Sequence, residues 1–490
     1  MLTSLALAVA IPVRPNIIMI FSDDHARRAI SSYKSDLIKT PNIDRIVAQG
    51  IRFDRHYTTN PICGPSRASL LTGKYSHLNG FRDNSSKFDG SQMTFPKLLR
   101  SAGYETAVIG KWHLESNPTG FDHWEILPGQ GAYYDPDFLT PSGRQKNVGY
   151  VSEIVTDKAL KWLSAPRTKP FFLLLGHKAP HRSWVPNLNK IGILANKALP
   201  EPATLRSTHE TLTSAAKTVH MRVDTHMRPA EDLMVGFVPA VLKGEREQTW
   251  KTAFAPQDQR YRDQVNQGDL MRANYQRYMQ NYLRCVSSVD DSVGQVLDYL
   301  EKSGDAKNTI VIYASDQGFF LGENGWYDKR WFYEPSSGTP LIIRNLDRKA
   351  KIVRSITSNV DLAPTLLEFA GVHPPSEMQG HSLVPEMAGK PNPASAAYGH
   401  FYESDDGDHN APKYVSLVTA RYKVIYYYEL GEWELFDLPS DPNEQTNLWR
   451  KASMGKVRSE MVRKLIQRAK ELREPSDLVS SIQQNVRLRG

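Results

Sequence analysis

Cysteine is nearly absent, with Cys63 and Cys285 the only two in 490 residues. So sparse a pair gives no disulfide framework, and the fold must rest on buried cores. Also missing is any apolar run near the roughly 20 residues of a membrane span, so no span is expected. Basic residues are scattered rather than gathered in a stripe, which argues against nucleic acid as a partner. Acidic residues are outnumbered, 53 Asp plus Glu against 61 Lys plus Arg, for a formal net charge of +8. That balance would steer an anionic substrate inward or simply aid solubility. No Lys or Arg precedes the apolar opening Leu2 to Ala10, yet it ends in Ala8-Val9-Ala10, a small-x-small pattern open to a signal peptidase. Residues 1–14 are therefore read as a signal peptide remnant, and the protein as periplasmic or secreted; a buried strand lead-in is the alternative.

What is present is an alternation. Short apolar runs stop at polar residues at Asn16 to Phe21, Thr106 to Ile109, Phe171 to Leu175 and Thr309 to Ala314, in the manner of strands buried on both faces of a parallel sheet. Helix signals lie between them: Thr40-Pro41 to Gly50, Thr94 to Gly103, and Arg272 to Lys302 stopped by Gly304. The chain is too long for one core. An α/β sheet flanked by helices is expected over residues 15–390, and a smaller α+β subdomain over 391–490. In that subdomain Asn392 to Ala397 reads as loop, then Val415 to Val418, Tyr422 to Tyr428 and Trp433 to Phe436 as antiparallel strands, then Met461 to Leu472 as a helix. Asn187 to Glu245 reads as an irregular excursion. Ligands of such sheets collect beyond the carboxyl ends of the strands, where Asp23-Asp24, Lys111 and His113, His177 to His181, and Asp316-Gln317 follow the four runs.

Cys63-Gly64-Pro65-Ser66-Arg67, continued by Ala68-Ser69-Leu70-Leu71-Thr72-Gly73, resembles the signature of type I sulfatases. Pro65 suits a first helical turn, placing Cys63 just before a helix N-terminus that favours an anion. The resemblance implies an alkaline phosphatase-like sulfatase fold, with a large mixed, mostly parallel sheet. It also implies conversion of Cys63 to formylglycine by a formylglycine-generating enzyme. A thiol attacking a sulfate ester would leave a thiosulfate with no easy exit. A hydrated aldehyde has one hydroxyl to attack sulfur and a second whose proton loss expels sulfate.

By the same resemblance Asp23, Asp24, Asp316 and Gln317, with Cys63, hold one calcium ion, since oxygen-rich, irregular shells suit calcium. Arg67 holds the hydrate or a metal-bound oxygen. Within Gly110-Lys111-Trp112-His113-Leu114, Lys111 clamps sulfate and His113 accepts the hydrate proton. In His177-Lys178-Ala179-Pro180-His181 the last histidine, His181, helps protonate the leaving alcohol; His177 reads as structural and Lys178 is left undecided. Lys329, in Asp328-Lys329-Arg330, is the second sulfate-binding lysine. Phe88-Asp89-Gly90, Gly120-Phe121-Asp122 and Gly129 to Pro136 look most like the N-acetylglucosamine-6-sulfatase branch. A sulfated carbohydrate is then the expected substrate, with the loop Tyr402 to His409 reading the sugar and His409 touching it. Ser336 to Thr339, unusually small and polar, would reshape the sugar pocket. Competing readings are a phosphate or phosphonate ester hydrolase of the alkaline phosphatase superfamily, and an inactive sulfated-glycan-binding protein.

Overall fold

The structure is a computed structural model and describes residues 14–390, 392, 396–404 and 409–489. The expected leader, apart from Arg14, lies outside the described residues. The four apolar runs are the middle of a ten-stranded sheet. Asn16–Ser22 lies between Phe171–Gly176 and Thr309–Ser315, parallel to both, and Glu105–Lys111 extends the parallel set. His123–Leu127 adds one more parallel strand, and Leu341–Arg344 turns the sheet antiparallel on the far side of Thr309–Ser315. The sheet is thus mixed but parallel where the expected site lies.

Alternate residues of the central strand feed two cores. Ile18 and Ile20 join a core with the helices Pro41–Ala48, Val151–Leu163 and Leu270–Ser303, while Ile17, Met19 and Phe21 face Cys63–Thr72, Phe95–Ser101 and Leu362–Phe369. Burial on both faces explains why these runs are continuously apolar rather than alternating. The long helix ends where expected, at Gly304 with φ 83°, a left-handed cap natural to glycine.

Ala397–Phe401, Tyr414–Val418, Tyr422–Tyr427 and Glu432–Asp437 form a four-stranded antiparallel sheet in that order. The first of these overlaps the stretch read as loop. One face meets Trp326, Trp331 and Phe332 from the large unit; the other carries Met461, Val462 and Leu465 of the helix Gly455–Glu471. The segment 187–244 is irregular, as expected, holding only short helices such as Ser214–Thr218.

Candidate active site

Register brings the strand ends together. Ser22 pairs with Ser315, Phe21 with Gly176, and Gly176 with Gly110, so the residues that follow all leave at one edge. The approach is close: a Cβ on Gly110 would lie 1.9 Å from the Gly176 carbonyl, and Gly110 adopts φ 104°. Glycine is required there.

Cys63 is the first residue of the helix Cys63–Thr72, one position further in than its sequence suggests, and every residue of that helix is buried. The helix is bolted to the strand ends. Ser66 Oγ donates to the Asp316 carbonyl at 2.5 Å, and Arg67 Nε donates to Asp316 Oδ2 at 3.0 Å. The Arg67 guanidinium also reaches the Lys111 carbonyl at 3.1 Å and lies over the Phe21 ring. Around the Cys63 sulfur stand Asp23 Oδ1 at 3.2 Å, Lys329 Nζ at 3.1 Å and Gln317 Nε2 at 3.5 Å. Lys329 also donates to both oxygens of Asp24, at 2.6 and 2.8 Å, while Lys111 pairs with Asp23.

The structure therefore gathers Asp23, Asp24, Cys63, Arg67, Lys111, Asp316, Gln317 and Lys329 into one buried cluster. His181 joins it, with Nε2 3.9 Å from Asp24 Oδ2 and its Nδ1 on the Arg182 carbonyl. His113 is buried, and Lys111, Arg67, Lys329 and Lys178 all act on its ring. His177 stands apart, its Nε2 3.0 Å from Ser292 Oγ on the long helix. That placement agrees with a structural reading. Asp24, His113, Asp328 and Arg330 have φ of 63°, 54°, 77° and 86°. Left-handed backbone is uncommon at non-glycine residues, with Asp and His among those that tolerate it best.

Charges here are perturbed. Burial lifts the Asp24 carboxyl to about 6 against the pull of Lys329, with Asp316 and Asp328 adding to the rise. Burial also pushes the Cys63 thiol up to about 12, again opposed by Lys329. Lys111 is driven well below the usual lysine range by burial and by the ammonium of Lys178. His113 and His181 are lowered for the same reasons, burial first and neighbouring cations second.

One observation fits a metal ion. Oxygens of Asp23, Asp24 and Asp316 lie within 4.8 Å of one another, and the buried Gln317 Oε1 has no hydrogen-bond partner among the described residues. Three carboxylates and an orphaned carbonyl oxygen are the donor set of a hard cation. Gln317, one methylene longer than an asparagine, offers the same neutral carbonyl oxygen.

Above the cluster opens a polar cavity of about 270 Å³, lined by Lys329, His181 and His409 together with Gln130, Asn84 and Arg182, among others. His409 Nε2 lies 3.0 Å from Asp328 Oδ2 and 3.4 Å from Arg182 Nη1. Residues 405–408 of the expected sugar-reading loop lie outside the described residues. Gln130, Asn84 and Arg182 escaped the sequence reading. Gln130 had a signal, standing inside the run Gly129 to Pro136. Its Oε1 accepts from Lys111 at 2.5 Å and its carbonyl from Lys178 at 3.1 Å, so Lys178 helps hold this wall. One expectation is corrected: Ser336, Ser337 and Thr339 are fully buried behind the Asp316-Gln317 turn, with Gly318 donating to the Ser336 carbonyl at 2.8 Å. They support Asp316-Gln317 from behind and do not shape the cavity. A Cβ on Gly318 would lie 2.2 Å from the Pro335 carbonyl, and that crowding selects small residues.

Comparison with known proteins agrees with this arrangement. A family model described as sulfatase matches residues 15–372, and one described as N-sulphoglucosamine sulphohydrolase, C-terminal, matches residues 322–471. The chain belongs to the sulfatase family, enzymes that hydrolyse sulfate esters. It is 44% identical over 488 residues to an N-acetylglucosamine-6-O-sulfatase of Bacteroides thetaiotaomicron, covering 94% of this chain and 87% of that one. A solved structure in complex with its substrate D-glucosamine-2-N,6-O-disulfate matches with a TM-score of 0.90 and 42% identity, over 94% of this chain and 98% of the other. The multifunctional alkaline phosphatase superfamily protein PehA of Trinickia caryophylli is 25% identical over 500 residues, 89% of this chain and 91% of it. Among the described residues no helix is long and apolar enough to cross a membrane.

Proposed function

We propose that this sulfatase acts on a sulfated amino sugar, with 6-O-sulfated N-acetylglucosamine as the preferred unit, using a formylglycine made from Cys63 and one calcium ion. The observation that carries this reading is the buried Cys63, ringed by three carboxylates and two lysines, at the foot of a small polar cavity. About 270 Å³ is below the range of drug-sized pockets and suits a single sulfated sugar unit. The names of the two relatives above 40% identity supply the sugar and the 6-O position.

As a thiol at about 12, Cys63 would be almost wholly protonated at neutral pH and a poor nucleophile. Formylglycine supplies instead a hydrated carbonyl, with one hydroxyl for attack and one for release. Asp23, Asp24, Asp316 and Gln317 would hold the calcium, which supplies charge to neutralise the sulfate oxygens. Lys329 Nζ, 3.1 Å from the Cys63 sulfur, is placed to hold a sulfate oxygen, and Lys111 approaches from the Asp23 side. Arg67 fixes Asp316 and the carbonyl end of the Lys111 strand. His113 takes a proton in the release of sulfate, and His181 gives one to the departing sugar oxygen. His409 holds Asp328 and borders the cavity where the sugar would lie. Oxidation of Cys63 by a formylglycine-generating enzyme and export to the periplasm or beyond belong to the same reading; the apolar opening Leu2 to Ala10 supports the latter.

A panel of defined substrates tests the proposal. The 6-O-sulfate of N-acetylglucosamine should be hydrolysed faster than 2-O-, 3-O- and 4-O-sulfated sugars. Faster release of phosphate or methylphosphonate from matched esters would point to the phosphate and phosphonate branch of the superfamily instead.

Removing metal should act on stability as well as rate. Without the ion three buried carboxylates share Lys111, Lys329 and Arg67 as counter-charges and lose a dication that offsets their mutual repulsion, so chelation should lower the melting temperature along with the activity. At a hundredfold excess over Kd the bound ion is worth about 2.7 kcal/mol. Calcium should restore both, at one ion per chain; an active enzyme free of divalent metal would refute the role.

A further inference from the structure

A second cluster of potential ligands lies away from the Cys63 centre, at the seam between the large unit and the C-terminal sheet. His77 comes from the short helix Ser76–Asn79 and His400 from the strand Ala397–Phe401. Glu474 stands in the link between Gly455–Glu471 and Ser476–Arg489. One ligand atom from each lies within 4.8 Å of the others. The side chains are 2%, 6% and 0% exposed.

The hydrogen bonds define what the cluster lacks. His77 Nε2 is 2.8 Å from the Leu472 carbonyl, which can only accept, so that nitrogen carries the hydrogen. In the neutral ring His77 Nδ1 is then a bare lone pair. Yet it faces Glu474 Oε1 at 3.1 Å and has no hydrogen-bond partner among the described residues. The same oxygen is 2.8 Å from His400 Nδ1. Among the described residues Glu474 Oε2 and the Tyr398 hydroxyl, which lie near each other, also have no hydrogen-bond partner of good geometry. A lone pair aimed at a carboxylate is repulsive, and a cation between them removes the repulsion.

We propose that His77, His400 and Glu474 form a second metal site, for a borderline divalent cation of the zinc class. Two imidazoles and one carboxylate suit zinc, whereas the oxygen-only set at Asp23 suits calcium. The outer partners match what a metal-bound histidine needs: His77 Nε2 donates to Leu472, and His400 Nε2 lies 3.3 Å from the Tyr428 hydroxyl, which can accept its hydrogen. Leu472 also accepts from Gln379 Nε2 at 2.8 Å, which fixes its orientation. Arg82, over the Tyr402 ring that stacks on His400, and Arg468, beside Tyr75, are the cations facing this seam. The ion would clip the C-terminal helices to the segment that follows the Cys63 helix.

The test uses the full chain, stripped of metal and refilled with excess calcium so that the oxygen site is occupied. Zinc titrated by calorimetry and counted by elemental analysis should bind at one equivalent per chain and raise the melting temperature. His77→Ala and Glu474→Gln should each weaken zinc binding by at least about 100-fold, since even outer-partner changes cost 10–100-fold. Cobalt in place of zinc should give a tetrahedral spectrum without a thiolate band, unchanged by Cys63→Ala. No bound zinc and an unmoved melting temperature in the wild-type chain would overturn the proposal even if both variants fold poorly. So would a cobalt band that disappears with Cys63→Ala, which would place the ion at the catalytic cysteine.

Discussion

Cys63→Ala is expected to lower kcat/KM for sulfate esters by on the order of 10⁴–10⁶-fold, as loss of a covalent nucleophile does elsewhere, and to leave the fold intact. The site predicts this separation of rate from stability. Cys63 is fully buried, but its contacts are polar ones to Asp23, Lys329 and Gln317, and all three keep other partners in the cluster. Losing one sulfur there costs about 1 kcal/mol, a melting shift of at most about 4 °C in a chain this size. Cys63→Ser is the sharper control. Its hydroxyl keeps the contacts and could attack sulfur once, but it has no second hydroxyl with which to expel sulfate, so it should not turn over. Near-normal sulfate release by a folded Cys63→Ala protein would end the formylglycine reading. The Cys63 peptide of the active enzyme should be lighter than the thiol form and should form a hydrazone.

Much of this site is legible in the sequence because its chemistry sits at strand ends. Asn16 to Phe21 and Thr309 to Ala314 are apolar enough to be recognised as buried strands, and the acids that stop them are the ones the structure brings to Cys63. Gln130 and Arg182 are harder. They reach the cavity from irregular segments, where no periodicity says which way a side chain points, and only the fold tells Gln130 from its neighbours. The strand Ala397–Phe401 was hidden for a related reason. Its run Ala-Tyr-Gly-His-Phe carries a glycine and a histidine and lacks β-branched residues, yet it is buried because Phe332 packs against Gly399, where a Cβ would lie 2.0 Å from that ring. The helix Glu245–Asn266 buries only Trp250, Phe254, Gln257, Asp258 and Tyr261, and it carries Pro256, a residue unfavourable in a helix interior. Its helical spacing survives, but two of the five buried positions are polar, so hydrophobic periodicity is faint.

His181→Ala should distinguish substrates by their leaving groups. The Arg182 carbonyl can only accept, so His181 Nδ1 carries a hydrogen toward it, and the ring turns Nε2 toward Asp24 at 3.9 Å, beside the cluster of Asp23 and Cys63. Nε2 is therefore the atom placed to give a proton, and it holds one only as the imidazolium. Burial and the cations of Lys111, Lys329 and Lys178 depress that form in the free enzyme; the negative charge of an arriving sulfate ester favours it again. A sugar alkoxide is strongly basic and needs that proton as it departs, while a phenolate with a conjugate acid near 10 leaves with little help. Loss of His181 should thus cost about 10²–10⁴-fold in kcat/KM with a sugar sulfate and less than about 10-fold with an activated aryl sulfate. His113 provides the contrast. Buried among Lys111, Arg67, Lys329 and Lys178, it is assigned to a step after the alcohol has left, so His113→Ala should depress steady-state kcat to a similar level for both substrates. Measuring kcat and KM separately for each variant on matched sugar and aryl sulfates decides the matter. Equal losses on both substrates in His181→Ala would show that it does not protonate the leaving group and that the two histidines share one duty.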